Sequence, residues 1–218
     1  VDWLQEPAIE LFHTPVTWLE LIADLAGALS VWWATREVVL TWPAGLLNSA
    51  LFLVLFIDVD LFASAGLQVA FIVLGLYGWW SWARGVPDPE GSTSSGELPV
   101  RRTVPREWVV LGVCTVVGVA FIAWLLTSHT ASPAPWWDAI VLVLSLVATY
   151  GQAQKLVESW AIWIVVDVVS VPLYASRELL PTALLYAGFG VLCVLGWRDW
   201  SRSLSEHESD ELLAGEPA

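Results

Sequence analysis

The sequence predicts an all-α integral membrane protein with seven transmembrane helices, arranged as two parallel three-helix repeats joined by a linking helix. Three observations carry that expectation. Of 218 residues, 57% are hydrophobic and only 14% are charged, with a mean hydropathy of +0.66, whereas soluble domains carry about 25% charged residues. Seven apolar stretches approach the ~20 residues that a bilayer-spanning helix needs. A tryptophan motif also recurs. Gly78-Trp79-Trp80-Ser81-Trp82-Ala83-Arg84 and Gly196-Trp197-Arg198-Asp199-Trp200-Ser201-Arg202 both read G-W-x-x-W-[AS]-R at an offset of 118 (196 − 78), an offset that Trp42 and Trp160 share.

Taken in order, residues 1–16 form an extracytoplasmic N-terminal segment. VDWLQEPAIELF lacks the basic region of a signal peptide, so the first apolar helix is expected to stay as a span. The absence of methionine, even at position 1, suggests an alternative start codon or a trimmed sequence. The spans are expected at Thr17–Thr35, Trp42–Ile57, Phe62–Trp82, Glu107–Thr127, Trp136–Tyr150, Ser159–Tyr174 and Leu180–Trp200, the second, fifth and sixth being short. Residues 17–82 make the first three-helix repeat, 107–127 the linking helix and 136–200 the second repeat. Residues 83–106, rich in Pro, Gly and Ser, read as a flexible cytoplasmic loop, and 201–218 as a disordered acidic cytoplasmic tail. Between the tryptophan anchors the register slips, because Leu61-Phe62-Ala63-Ser64 matches Leu173-Tyr174-Ala175-Ser176 at an offset of only 112 (173 − 61), so gaps are expected. A displacement of four helices is even, which gives repeats of the same orientation and a site at the midplane between them.

Orientation follows from the nine basic residues. Arg36, Arg84, Arg101, Arg102, Arg106, Lys155, Arg198 and Arg202 all fall on one side of the seven spans, and only Arg177 on the other. The positive-inside rule therefore puts the N-terminus outside and the C-terminus in the cytoplasm. The net charge of −13 gives nucleic-acid binding no support. Cys114 and Cys193 stand singly in apolar runs and read as small buried residues, and His13, His129 and His207 are scattered. Neither a disulfide framework nor a metal-ligand spacing is present. No phosphate-cradling Gly-rich motif and no nucleophile beside a base suggest an enzyme or a cofactor.

The stretch that bears chemistry is Glu158 to Tyr174. Trp160, Trp163, Asp167 and Ser170 are spaced i, i+3, i+7 and i+10, which brings them onto one helix face. An acid on an apolar spanning helix costs about 2.5–3.5 kcal/mol on insertion scales, so Asp167 should face the protein interior or a wet cavity. Alternatively both indoles belong to an interfacial belt and Asp167 makes an interhelical hydrogen bond. Glu20, Asp24, Asp58 and Asp60 lie towards the outer ends of the first two spans, where water wets them or where one of them lines an entry path. Asp138 and Glu158 suit helix starts.

With these residues in view, the sequence resembles the PnuC family of bacterial vitamin transporters. The residues that carry the resemblance are Trp42 to Phe56, Ala65 to Trp82, Glu20, Trp137 to Tyr150, and the W-x-x-W-x-x-x-D of Trp160, Trp163 and Asp167, within a match from about Thr17 to Arg202. The resemblance implies a SWEET-like three-plus-one-plus-three fold, a homotrimer in the lipid bilayer, and facilitated diffusion of nicotinamide riboside that a cytoplasmic kinase then traps. Thiamine or riboflavin are the family's other cargoes. The rivals from another class are an intramembrane enzyme and a structural subunit of a larger complex. A pyridinium ring could stack on Trp160 or Trp163, a desolvated cation over a ring gaining about 2 kcal/mol. Asp167, Gln68 and Asn48 are then the buried partners for ribose hydroxyls, although Gln68 and Asn48 could equally be satisfied between helices. Tyr150 and Thr149, ending the fifth span, complete the candidate substrate-binding residues.

Overall fold

The computed structural model describes residues 2–11, 14–58, 62–85, 98–130, 133–176 and 180–214. Seven helices carry the fold: α1 (Trp18–Thr35), α2 (Thr41–Asp58), α3 (Phe62–Arg84), α4 (Pro105–His129), α5 (Pro135–Ala153), α6 (Ser159–Ser176) and α7 (Leu180–Ala214). Their starts are written locally. The Thr17 hydroxyl accepts from Glu20 N at 3.2 Å while the Glu20 carboxylate accepts from Thr17 N at 2.8 Å, a reciprocal cap. Pro105 and Pro135 open α4 and α5, where a missing N–H loses nothing. Glu20 is thereby a helix cap rather than a free acid at the outer interface.

Five helices are long and apolar enough by composition to cross a membrane, namely α2, α4, α5, α6 and α7 over Leu180–Glu206. The other two are diluted by polar and aromatic residues: α1 carries Glu20 and Asp24, and α3 carries Gln68 and the Tyr77 to Trp82 run. A two-stranded antiparallel hairpin, β1 (Pro7–Leu11) and β2 (Thr14–Thr17), precedes α1 and is not anticipated by an all-α reading. Alternation in Ala8-Ile9-Glu10-Leu11 and β-branched Thr14, Val16 and Thr17 favour it.

Consecutive helices pack as α1 on α2 on α3 and as α5 on α6 on α7. The two groups meet where α3 packs on α5 and α1 on α7, while α4 lies against α5. On α4 only Ala123 is buried; Val113, Val116 and Trp124 are exposed, and so is Cys114. The expectation that both cysteines are buried therefore holds for Cys193 and fails for Cys114, because α4 is too peripheral to have two covered faces.

One end of the bundle is duplicated in detail. Val38 N donates to Trp33 O at 3.0 Å and Leu156 N to Gly151 O at 2.9 Å. Glu37 N donates to Ala34 O at 3.1 Å and Lys155 N to Gln152 O at 3.0 Å. These are helix-ending motifs of the Schellman type, each with a left-handed residue at its turn, Glu37 (φ 58°) and Lys155 (φ 50°). Trp42 meets Trp82 edge-on at 5.5 Å and Trp160 meets Trp200 edge-on at 5.4 Å, while Trp82 and Trp200 lie 6.0 Å apart. Trp82 Nε1 donates to Gln152 O at 3.1 Å, and Trp200 Nε1 donates to Ala34 O at 2.9 Å. Every one of these pairs is related by the offset of 118 (for instance 152 − 34). The helix ends obey it too: α2 and α6 start at 41 and 159 and end at 58 and 176, and α3 and α7 start at 62 and 180. The offset of 112 is thus a chance similarity, and no gap interrupts the three-helix groups, since Phe62 corresponds to Leu180 rather than to Tyr174.

Two segments expected to be loose are ordered by specific contacts. In the 83–106 loop, Val100 is buried, Arg101 N donates to Lys155 O at 3.0 Å and Val157 N to Arg101 O at 3.1 Å. Glu158 accepts from Thr103 N and Thr103 Oγ1 at 3.0 and 2.8 Å. Glu107 grips both arms of Arg101 at 2.7 and 2.8 Å, and that hydrogen-bonded carboxylate holds the Arg101 guanidinium above its usual range. The loop therefore returns as a strap across the α5–α6 turn; residues 86–97 lie outside the described set. The acidic stretch after Trp200 continues α7 to Ala214, because Leu204 packs into the tryptophan cluster and the run is rich in helix-favouring Glu, Leu and Ala. Residues 215–218, Arg177, His13 and Asp60 also lie outside the described residues.

The tryptophan end gives a direct test of packing. A Cβ at Gly78 would lie 2.2 Å from the Trp42 ring and one at Gly196 would lie 2.6 Å from the Trp160 ring, whereas at Gly188 nothing lies within 4 Å. Gly78→Ala and Gly196→Ala should each destabilise by about 1–3 kcal/mol or more, and Gly188→Ala should be neutral or stabilise by up to ~1 kcal/mol through helix propensity. Thermal unfolding of the purified variants reads this; a Gly196→Ala protein as stable as its parent would mean that the ring does not sit there.

Candidate functional site

The stripe on α6 forms as the spacing predicts, and it is where buried polar atoms lack partners. Among the described residues, six buried side-chain polar atoms have no hydrogen-bond partner: Trp42 Nε1, Ser159 Oγ, Trp160 Nε1, Trp163 Nε1, Asp167 Oδ2 and Ser170 Oγ. Four of the six belong to Trp160, Trp163, Asp167 and Ser170, the stripe itself. Buried donors and acceptors without partners cost about 1–3 kcal/mol each, so a row of them on one helix face marks a surface built to meet hydroxyls, amides or water.

The stripe divides along its length. Trp160 has no exposed surface, with its ring packed over Gly196 and edge-on to Trp200, so its faces serve the tryptophan cluster. Trp163 is only partly buried and borders that cluster. Asp167, 4% exposed, points at α7: a Cβ at Gly190 would lie 3.7 Å from its Oδ2, and the Cys193 thiol lies within electrostatic reach of the carboxylate. No basic side chain among the described residues pairs with it; the buried Lys155 is committed to Glu37 at 2.7 Å. Asp167 is thus a carboxylate facing the interior with no countercharge among the described residues. Ser170 is fully buried one turn on, and Pro172, which cannot donate to Val168 O, follows it.

The remaining candidates are placed less evenly. Gln68 on α3 is half-buried and makes no hydrogen bond among the described residues. Asn48 Nδ2 donates to Ala23 O at 2.8 Å, the interhelical role that was its alternative reading. Thr149 Oγ1 donates to Ser145 O at 2.8 Å within its own helix. Tyr150 stacks on Tyr77 at 6.3 Å and 5°, at the α3–α5 contact, and Gln154 Nε2 donates to the Tyr77 hydroxyl. The structure brings Trp163, Asp167 and Ser170 together on one face and leaves Thr149 and Tyr150 in contacts of their own.

Sequence reasoning missed a second wall. Tyr186 on α7 stacks on Tyr174 at 5.2 Å and meets Phe189 edge-on at 6.2 Å, and it lies within electrostatic reach of both Asp167 and Asp24. Asp24 therefore faces inward from α1 instead of being only an outer-interface acid. The signal was available: Tyr186 is the counterpart of Gln68 at the offset of 118 (186 − 68), so a polar candidate in one three-helix group points to its equivalent in the other. Among the described residues no cluster of His, Cys, Asp or Glu could hold a metal ion.

Comparison with known proteins gives the family. The nicotinamide mononucleotide transporter family matches residues 17–202. The riboflavin/roseoflavin transporter RibM of Streptomyces davaonensis is 31% identical over 219 aligned positions, covering 100% of both chains. The nicotinamide riboside transporter PnuC of Escherichia coli is 29% identical, covering 93% of this chain and 95% of that one. A crystal structure of the vitamin B3 transporter PnuC superposes with a TM-score of 0.70 at 24% identity, over 87% of this chain and 83% of that one. The chain belongs to the nicotinamide mononucleotide transporter family, the PnuC-type membrane transporters of small vitamins, and is not an enzyme.

Proposed function

We propose that this protein carries nicotinamide riboside across the bacterial cytoplasmic membrane by facilitated diffusion, with trapping by cytoplasmic phosphorylation. The observation that carries the reading is the α6 stripe, where Asp167 has no basic partner, Trp163 borders it, and Trp163 Nε1, Asp167 Oδ2 and Ser170 Oγ lack hydrogen bonds. A pyridinium ring brings the missing positive charge and an aromatic face for Trp163, and ribose hydroxyls bring partners for Asp167, Ser170 and Gln68. A phosphate would meet an unneutralised carboxylate with no cation beside it, which favours the nucleoside over the nucleotide of the family's name. Asn48, Thr149 and Tyr150 then support the helices around the site, and Trp160 is the seat on which the stripe stands.

A second reading is riboflavin, favoured by the full-length alignment with the Streptomyces davaonensis transporter. Its ribityl chain offers hydroxyls to the same orphaned atoms, but its neutral ring leaves the Asp167 charge unmatched. The matching bounds of α2 and α6, the matching starts of α3 and α7 and the duplicated contacts support reading α1–α3 and α5–α7 as parallel repeats about α4, a SWEET-like plan. The family resemblance supports a homotrimer, with lipid covering the other apolar faces. Eight basic residues cluster at the tryptophan end, which supports an outside N-terminus; reporters fused after Ser92 and after Ala218 should both report cytoplasm, and a periplasmic signal from either overturns the orientation.

In proteoliposomes, labelled nicotinamide riboside should undergo counterflow that an imposed proton or sodium gradient does not change, and should outcompete riboflavin, thiamine and nicotinamide mononucleotide. Counterflow of riboflavin alone would replace the first reading with the second. Calorimetry should then show Trp163→Ala weakening binding by about 1–3 kcal/mol, with Trp163→Phe losing less. Asp167→Asn should lose about 1.5–3 kcal/mol. Glu158→Gln, whose carboxylate is occupied by Thr103, should bind within experimental error of the parent; the reverse ranking would make the stripe packing rather than a site.

A further inference from the structure

The Glu37–Lys155 ion pair has features that static packing does not need. Lys155 is 3% exposed, its Nζ lies 2.7 Å from Glu37 Oε2 and 4.8 Å from the centre of the Trp82 ring. Both residues occupy the left-handed position that ends a helix, φ 58° and 50°, where glycine is the unstrained choice. Each three-helix group thus accepts backbone strain to put a charged side chain at this point, and the two side chains meet. Strain of this kind persists where the side chain is used. A buried ion pair holds helices no better than an apolar contact of the same volume, but it differs in one respect. Its halves can part into water and be solvated, so it supports two states, dry and closed or wet and open.

Its place in the bundle says what it closes. Glu37 belongs to the turn after α1 and Lys155 to the turn after α5, so the pair crosses between the two groups. Two other crossings are its neighbours: Trp200 Nε1 on Ala34 O and Trp82 Nε1 on Gln152 O, each three residues before a partner of the pair. Beneath them lies the plate of Trp42, Trp82, Trp160 and Trp200. Asp167 is seven residues beyond Trp160 on α6, about 10 Å along the axis. Cys193 belongs to the tryptophan cluster and lies within electrostatic reach of Asp167, so it sits between plate and stripe. The pair stands at the basic end, beyond that plate from the stripe.

We propose that Glu37 and Lys155 are gating residues for transport, an ion pair that locks the cytoplasmic end of the carrier and separates each time cargo is released. The proposal rests on the transport reading and on the orientation given above. The duplicated geometry adds a specific expectation. Position 37 stands to Trp200 as position 155 stands to Trp82, so a lysine placed at 37 finds an indole as Lys155 does, and the pair should work reversed.

The test uses the native Cys193 thiol as a reporter in full-length Cys114→Ser protein, which leaves one cysteine. A charged, membrane-impermeant thiol reagent is applied to inside-out vesicles, so that it reaches only the cytoplasmic face. Cys193 should react slowly in the parent, at least tenfold faster in Lys155→Met and in Glu37→Gln, and slowly again in the reversal Glu37→Lys with Lys155→Glu. Equal rates in all four, or a reversal as fast as the single variants, overturn the proposal. A second measurement covers single variants that fail to fold. Glu37→Cys with Lys155→Cys, bridged by a short bifunctional thiol reagent, should lose counterflow, keep vitamin binding from the outer face within twofold, and recover on reduction. A bridged carrier that exchanges at the unbridged rate overturns the lock. If the unbridged parent binds and moves none of the vitamins, the transport reading has failed instead, and the Cys193 rates, which need no cargo, still decide whether the pair shuts this end.

Discussion

The last carbonyls of a helix have no partner within it, and in a membrane there is little water to supply one. At the ends of α1 and α5 the last carbonyls accept from their own turns, Glu37 N to Ala34 O and Lys155 N to Gln152 O, and from an indole of the opposite three-helix group as well. Trp200 serves Ala34 O and Trp82 serves Gln152 O, at 2.9 and 3.1 Å. Each group thus lends a donor to the helix end of the other. This exchange brings the four indoles together, and the indoles in turn require Gly78 and Gly196, because no side chain fits beneath Trp42 and Trp160. The site inherits its position from that arrangement: α6 begins on the tryptophan plate at Ser159 and Trp160, which sets the rotation of every later turn.

One helix thus has two tasks in succession. In its first turn Trp160 is spent on packing, and from Trp163 onward the same face turns from dry contact to unsatisfied polarity. Asp167 has a thiol and a glycine for neighbours rather than a cation, an environment poor enough in partners that a ligand can improve it. Tyr186 and Phe189 of α7, with Tyr174 further along α6, supply aromatic surface.

Much of this could be read from residue order. Trp160, Trp163, Asp167 and Ser170 share a face because 3.6 residues make a turn, and that needs no tertiary information. The recurrence of G-W-x-x-W pointed to duplication before any helix was placed. What could not be read were contacts between segments distant in the chain. Asn48 is polar in a span whether it meets a vitamin or Ala23 O, and only the packing of α2 on α1 decides. Trp160 and Trp163 look alike on a helical wheel, yet one is fully buried and the other only partly. The strap of residues 98–104 was hidden for a different reason: its composition is that of a loop, and its order comes from Glu158 and the α5–α6 turn, more than 50 residues away (158 − 103). The slip to an offset of 112 came from matching letters where helix bounds would have served.

The unbroken offset of 118 also limits where this chain can change its length. A residue inserted within α3 before Gly78 would turn the rest of that helix by about 100° and carry Gly78 and Trp82 away from Trp42 and Gln152. The same holds within α7 before Gly196. Insertions and deletions find room in the Pro, Gly and Ser stretch that follows Arg84. Tags, reporters or fused domains belong there, and the stretch can be trimmed or lengthened without disturbing the plate.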